Sequence, residues 1–245
     1  NKDALDFLKN IVVDYVKSEI DFKENVEDIF LDNIHNYIAS DAINNLRMGL
    51  YAYLNQLDWF KPTYFSFAKN TIERIVCNEL AMQNRVNLNI MMPNDGGSNL
   101  LPHIDAYSGE SPFQCVLWVP LTDCFDTKSV GILNPNDNEK IIKEYYDTLI
   151  EGGVKLLQRR VQSNLTWVNV PFGSFLIFCP NLFHGSIENI TNETRWSFNV
   201  RFKSLLSPYC TQEKGLGSFY LPINIRPATK FGLSYKIPEG MQSND

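Results

Sequence analysis

Apolar residues recur at helical spacing through the first third of the chain. Leu5, Leu8, Ile11, Val12, Tyr15 and Val16 predict a helix over residues 4–20. A second helical pattern spans about 25–57 and carries Val26, Ile29, Phe30 and Ile34, then Ile43, Leu46, Leu50 and Leu54. Ser40-Asp41 interrupts it, as a helix break with a new cap would. A third pattern runs from about 65 to 81 through Phe67, Ile72, Ile75, Val76 and Leu80, with Pro62 marking the turn before it.

The period then drops to two. Arg85, Asn87, Asn89 and Met91 fall on one face of an expected strand, and Val86, Leu88, Ile90 and Met92 on the other. Further strands are expected at 113–121, 165–170, 174–178, 183–190 and 195–203, with one more helix over 138–160. Residues 93–99 and 131–137 read as loops. The last forty residues are rich in Pro, Gly and aromatics and show no clear period. They are expected to act as a closing flap or an oligomer contact. Helices first and many short strands after suggest a mainly-β sandwich or barrel with a helical layer against one sheet.

Residues 172–203 read as a hairpin turning near Thr191-Asn192. In that register Ser186 lies across from Ser197 and His184 across from Asn199. One face then collects His184, Ser186, Arg195, Ser197, Asn199 and Arg201. The other carries Ile187, Trp196, Phe198, Val200 and Phe202, ready to pack under the N-terminal helices.

Composition narrows the partners. Hydrophobic residues make up 44% of the 245, enough for a sizeable core. The formal charge of −6 argues against nucleic acid or an anionic membrane as the main partner. No apolar run approaches the roughly 18 residues of a membrane span, so none is expected. The five cysteines are scattered without C-x-x-C spacing, as reduced thiols of a cytoplasmic protein would be.

The candidate chemistry rests on the three histidines, His35, His103 and His184. His35 sits alone in the helical part, where a surface or capping role is expected. In an extended segment His103 and Asp105, two apart, present an imidazole and a carboxylate to one point. His184 supplies the remaining ligand. Two histidines and one carboxylate with open positions are diagnostic of non-haem Fe(II) oxygenases, although zinc accepts the same set. Two arginines beside such a site suit an anionic ligand held next to the metal.

These motifs resemble the Fe(II)/2-oxoglutarate-dependent oxygenases of the phytanoyl-CoA dioxygenase-like superfamily. The likeness is to the branch of bacterial carbohydrate gene clusters, the streptomycin-biosynthesis type. It is carried by His103-Ile-Asp105-Ala-Tyr107, Val116-Leu-Trp118-Val-Pro-Leu121-Thr-Asp123, His184-Gly-Ser186 and Arg195-x-Ser197, within roughly residues 85–203. The resemblance implies a double-stranded β-helix, or jelly roll, over 83–205. A helical part over 1–82 and a C-terminal extension over 206–245 would complete one oxygenase domain.

It further implies Fe(II) on His103, Asp105 and His184, with 2-oxoglutarate as cosubstrate and O2 as oxidant. Arg195 would bind the distal carboxylate of 2-oxoglutarate, helped by Ser186 or Ser197. Asn89 and Gln114 lie on strands that often supply further cosubstrate contacts. Arg201, Trp118 and Tyr107 are substrate-side candidates, with Trp118 as pocket wall. Related iron halogenases lack the carboxylate, so Asp105 implies hydroxylation or another oxidation of a C–H bond. The branch implies a sugar or sugar derivative as substrate. A metal-dependent jelly-roll isomerase or epimerase without redox chemistry is the alternative.

Overall fold

The computed structural model describes residues 2–20, 30–209 and 213–236. Three helices come first: α1 (Lys2–Glu19), α2 (Ser40–Gln56) and α3 (Phe60–Ile75). Strands β1 (Leu80–Gln83), β2 (Asn87–Met91), β3 (Gln114–Pro120) and β4 (Gly131–Leu133) follow. Two helices, α4 (Pro135–Lys143) and α5 (Tyr145–Gln162), precede β5 (Leu165–Trp167), β6 (Leu176–Phe178), β7 (His184–Gly185) and β8 (Arg195–Ser204). The C-terminal part adds β9 (Tyr220–Asn224) and α6 (Pro227–Ser234).

All strand pairs within the two sheets are antiparallel. The larger sheet runs β6-β3-β8-β1-β9, and β2 pairs β8 alongside β1. The smaller runs β5-β4-β7. Strand β8 is the spine: β3 flanks one side, while β2 and β1 share the other in succession.

Its alternation explains the main core. Trp196, Phe198, Val200 and Phe202 point to the helices and are fully buried. There they meet Leu8 and Val12 of α1, Leu50 and Leu54 of α2, and Phe60 and Tyr64 of α3. Two buried donors fix the layer: Tyr64 Oη donates to Leu117 O at 2.9 Å, and Trp196 Nε1 to Leu31 O at 2.9 Å. A second cluster joins Leu133 of β4 to Ile141 of α4 and to Leu157 and Val161 of α5. A third contains Val116, Trp118 and Phe178 of the larger sheet with Val130, which precedes β4 of the smaller one.

Several expected elements changed. The expected 65–81 helix starts earlier, at Phe60, and ends at Ile75. Leu80–Gln83, buried throughout, is strand β1 between β8 and β9. The local spacing suits a helix, but two strand partners with open hydrogen-bonding edges decide otherwise. Residues 138–160 form parts of two helices rather than one; Asn134 caps the first by accepting from Asp137 N. The expected 131–137 loop opens with β4 and runs into α4. Residues 25–29 of the second helical pattern lie outside the described residues; beyond them, Ile34–Asn36 is a 3-10 turn and α2 begins at Ser40, without a side-chain cap.

The 172–203 hairpin does not form. Strand β7 pairs with β4 in the smaller sheet, and β8 lies in the larger one. The chain crosses between sheets at residues 186–194. The crossing is folded around Asn189, whose Oδ1 accepts from Thr191 Oγ1 at 2.7 Å and whose Nδ2 donates to Glu193 O at 2.8 Å. Lys128, fully buried, holds the same bend through Glu193 at 2.6 Å. His184 and Arg195 therefore face each other across two sheets, not along one ladder.

Candidate metal centre

His103 and His184 form an antiparallel bridge, each donating its backbone N–H to the other's carbonyl at 3.0 Å. Their side chains leave on the same side, with ring centroids 4.4 Å apart. Gly185 permits the close approach: a Cβ there would sit 2.6 Å from Leu100 O and 2.9 Å from Pro102. Ile104 is extended, so Asp105 points the same way as His103 before the chain enters the 3-10 turn Asp105–Ser108. The ligand atoms of His103, Asp105 and His184 all lie within 4.8 Å of one another.

Local hydrogen bonds set the imidazoles. His103 Nδ1 lies 2.9 Å from Leu101 O, and His184 Nδ1 lies 2.9 Å from Leu182 O. A carbonyl only accepts, so both Nδ1 atoms carry the proton and each Nε2 is left to offer a lone pair. Both Nε2 atoms face Asp105 Oδ1, at 3.4 Å from His103 and 4.0 Å from His184. Burial, and then the neighbouring His103, pull His184 down to about 4, so its ring is neutral near pH 7. Electron-pair donors converging this way call for a cation between them. The donor set thus fits a metal ion of the kind bound by two histidines and a carboxylate.

Arg201 grips the same carboxylate. Its Nε donates to Asp105 Oδ2 at 2.8 Å and its Nη2 to Oδ1 at 2.7 Å. Burial alone would push the Asp105 carboxyl up. The charge of Arg201 and its two hydrogen bonds outweigh it and hold the group well below the usual carboxylate range.

The cleft beside the triad has about 80 Å³ of free space, with Asn89, Ser186, Arg195, Asn199 and Arg201 among its polar walls. Trp118, Val116, Val130 and Phe178 line it on the apolar side. Arg195 and Arg201 sit six residues apart on the same face of β8, and both line the cleft. Arg195 Nη1 donates to Ser129 O at 2.8 Å and Nη2 to Asn89 Oδ1. Its Nε is buried without a partner, and so is Ser197 Oγ, two residues further along β8. Burial pulls Arg195 down to about 10, which leaves it charged near pH 7. An unpartnered guanidinium N–H on the cleft wall fits an anionic group; Ser197, expected beside it, does not line the cleft.

The remaining expected residues divide. Ser186 lines the cleft, with its Oγ accepting from Leu100 N at 2.9 Å. Trp118 is wall, as expected. Gln114 shares the β3 face of Val116 and Trp118 but lies outside the cleft, in a buried cluster where Tyr220 Oη is 2.8 Å from both Gln114 Oε1 and Glu110 Oε2. Tyr107 is half exposed, its ring 5.0 Å from Tyr145, and does not line the cleft. His35 is neither a free surface group nor a cap: its Nδ1 lies 2.9 Å from Thr194 Oγ1. The sequence pattern hides Gln83 altogether, because β1 reads as helix. It also hides the Arg201–Asp105 pair, although the even spacing from Arg195 signals a shared face.

A second cleft of about 440 Å³ adjoins the first and shares Asn89 and Leu100 with it. Its walls include Asn44, Arg47, Asp95, Ser98 and Asn99. Among the described residues no helix is long and apolar enough to cross a membrane.

No family model and no curated protein matches the chain. Solved structures do. The non-heme monooxygenase ThoJ, in its nickel complex, aligns over 79% of this chain and 73% of its own, with TM-score 0.50 at 15% identity. ThoJ in its apo form gives 0.51 at 16% identity over 79% and 74%. The non-heme alpha ketoglutarate dependent epimerase SnoN from nogalamycin biosynthesis covers 66% and 62% at 15% identity, and its TM-score of 0.44 is too low to argue from. The chain shares the fold of ThoJ.

Proposed function

We propose that the chain is a non-haem Fe(II), 2-oxoglutarate-dependent oxygenase that oxidises a C–H bond of a polar small molecule. One observation carries the reading. Three lone-pair donors converge in a buried cleft whose wall also carries Arg195, its Nε without a partner. A dicarboxylate that reaches a metal with one end and a guanidinium with the other suits that layout. The fold shared with ThoJ, a non-heme monooxygenase solved with nickel, supports it.

On this reading His103, His184 and Asp105 hold the iron. Fe(II), with 2-oxoglutarate and O2, supplies the oxidising chemistry when bound. Arg195, with Ser186, orients the cosubstrate by its distal carboxylate. Asn89 keeps Arg195 in place rather than touching the cosubstrate itself. Trp118, Val116 and Phe178 keep water from the reacting end. The adjoining cleft, with amides, hydroxyls and charges of both signs, suits a neutral polyhydroxylated substrate such as a sugar derivative. The two sheets are read as a double-stranded β-helix. The whole chain is read as one oxygenase domain of the phytanoyl-CoA dioxygenase-like, carbohydrate-cluster type, acting in the cytoplasm.

Anaerobic titration tests this. Fe(II) followed by 2-oxoglutarate should raise a weak visible charge-transfer band in the wild type and none in His184→Ala. Absence of the band, with no succinate formed in air, overturns the reading.

A further inference from the structure

Asp105 has two oxygens, and a carboxylate can bind a metal through one or both. The surroundings of this carboxylate treat the two oxygens differently. Oδ1 faces the imidazole Nε2 atoms. Oδ2 receives Arg201 Nε at 2.8 Å. Turning the carboxylate so that both oxygens face the imidazoles would break that bond in a place where Asp105 is 2% exposed and water cannot replace it.

Arg201 is itself fixed. Its Nη1 donates to Gln83 Oε1 at 3.1 Å, so Nε, Nη1 and Nη2 are all engaged. Gln83 is 6% exposed and stands on β1, beside β8 in the sheet. The nearest competing anion, Glu110, is occupied by Tyr220 Oη at 2.8 Å and by Lys214 Nζ at 3.0 Å. Lys203, the next cation on the same face of β8, donates to Pro208 O at 3.0 Å.

We propose that Arg201, braced by Gln83, is a positioning residue that makes Asp105 a one-oxygen metal ligand and keeps a further metal position open. The inference rests on the metal-centre reading above. It commits three of the five Arg201 N–H donors to Asp105 and Gln83 and leaves one on each Nη. Only a fork can hold both carboxylate oxygens at once; lysine, a point charge, cannot span them.

Mn(II) serves as the probe. Its EPR line broadening in 17O-enriched water counts metal-bound waters without any turnover. Arg201→Lys retains the buried charge and Arg201→Met removes it. Each is expected to show one water fewer than wild type, because Asp105 Oδ2 is released to the metal. The 2-oxoglutarate affinity of the folded variants is measured on the same samples.

An unchanged water count in the variants overturns the proposal. So does a 2-oxoglutarate affinity lowered by about tenfold or more with the count unchanged, since that is the loss expected of a carboxylate grip. A Lys variant that keeps the wild-type count shows that charge, not the fork, sets the carboxylate, and overturns it too. If Arg201→Met fails to fold, Arg201→Lys carries the test. A wild type that binds no Mn(II) overturns the metal-centre reading itself, before any variant is made.

Discussion

The two faces of strand β8 are one residue apart and obey opposite rules. Toward the helices, Trp196, Phe198, Val200 and Phe202 sit in an apolar core that packing holds. Toward the smaller sheet, Arg195, Ser197, Asn199, Arg201 and Lys203 bring an amide, a hydroxyl and three cations. Of the five, Arg195, Ser197 and Lys203 are fully or almost fully buried. The first face stabilises the fold. The second spends part of that stability on groups poised for ligands, some with no partner.

This contrast can be broken in order of effect. Trp196→Ala should destabilise the protein by about 3–5 kcal/mol, from the lost ring and the cavity it leaves. Urea unfolding measures it, and a loss below that of Tyr64→Phe would break the contrast. Tyr64→Phe should cost about 1–2 kcal/mol, because Leu117 O loses a buried donor. On the other face, Arg195→Met should cost no more than Tyr64→Phe, since Ser129 O and Asn89 Oδ1 lose donors while removal of an unpaired buried charge offsets that loss. It should raise the 2-oxoglutarate concentration needed for turnover by about tenfold or more. Ser197→Ala should change the unfolding free energy least, as its hydroxyl has no partner to lose. A Ser197→Ala loss as large as that of Tyr64→Phe would mean that this face, too, is built for stability.

Much of this layout is written locally. The period of two in 195–203 sets both faces of β8 correctly, because an alternating run next to a buried layer has one workable orientation. The triad is readable because His103, Ile104 and Asp105 need only an extended middle residue, and few histidines compete. What local pattern cannot encode is the choice of strand partner. Gly185 and the polar run 189–194 carry the same signals as a hairpin turn, yet the glycine serves a close approach to Leu100 and Asn189 folds a crossover. Strand β1 is hidden for a related reason: four residues are too few to show a period, and what decides them lies more than a hundred positions on. Gln114 is buried, but its partner is Tyr220 of β9, in a tail whose Pro and Gly content disguises a strand.

The bridge between His103 and His184 has a consequence for the order of assembly. The two are 81 positions apart (184 − 103), and the segments that carry them are drawn together from different parts of the chain. Closing so long a loop is a late, non-local event in folding. During synthesis the cage cannot exist until the chain has passed His184, so metal loading waits until both segments have been made. On the proposed reading a bound ion would act as a rivet between the 103–105 segment and β7, and resistance to unfolding should rise with free metal.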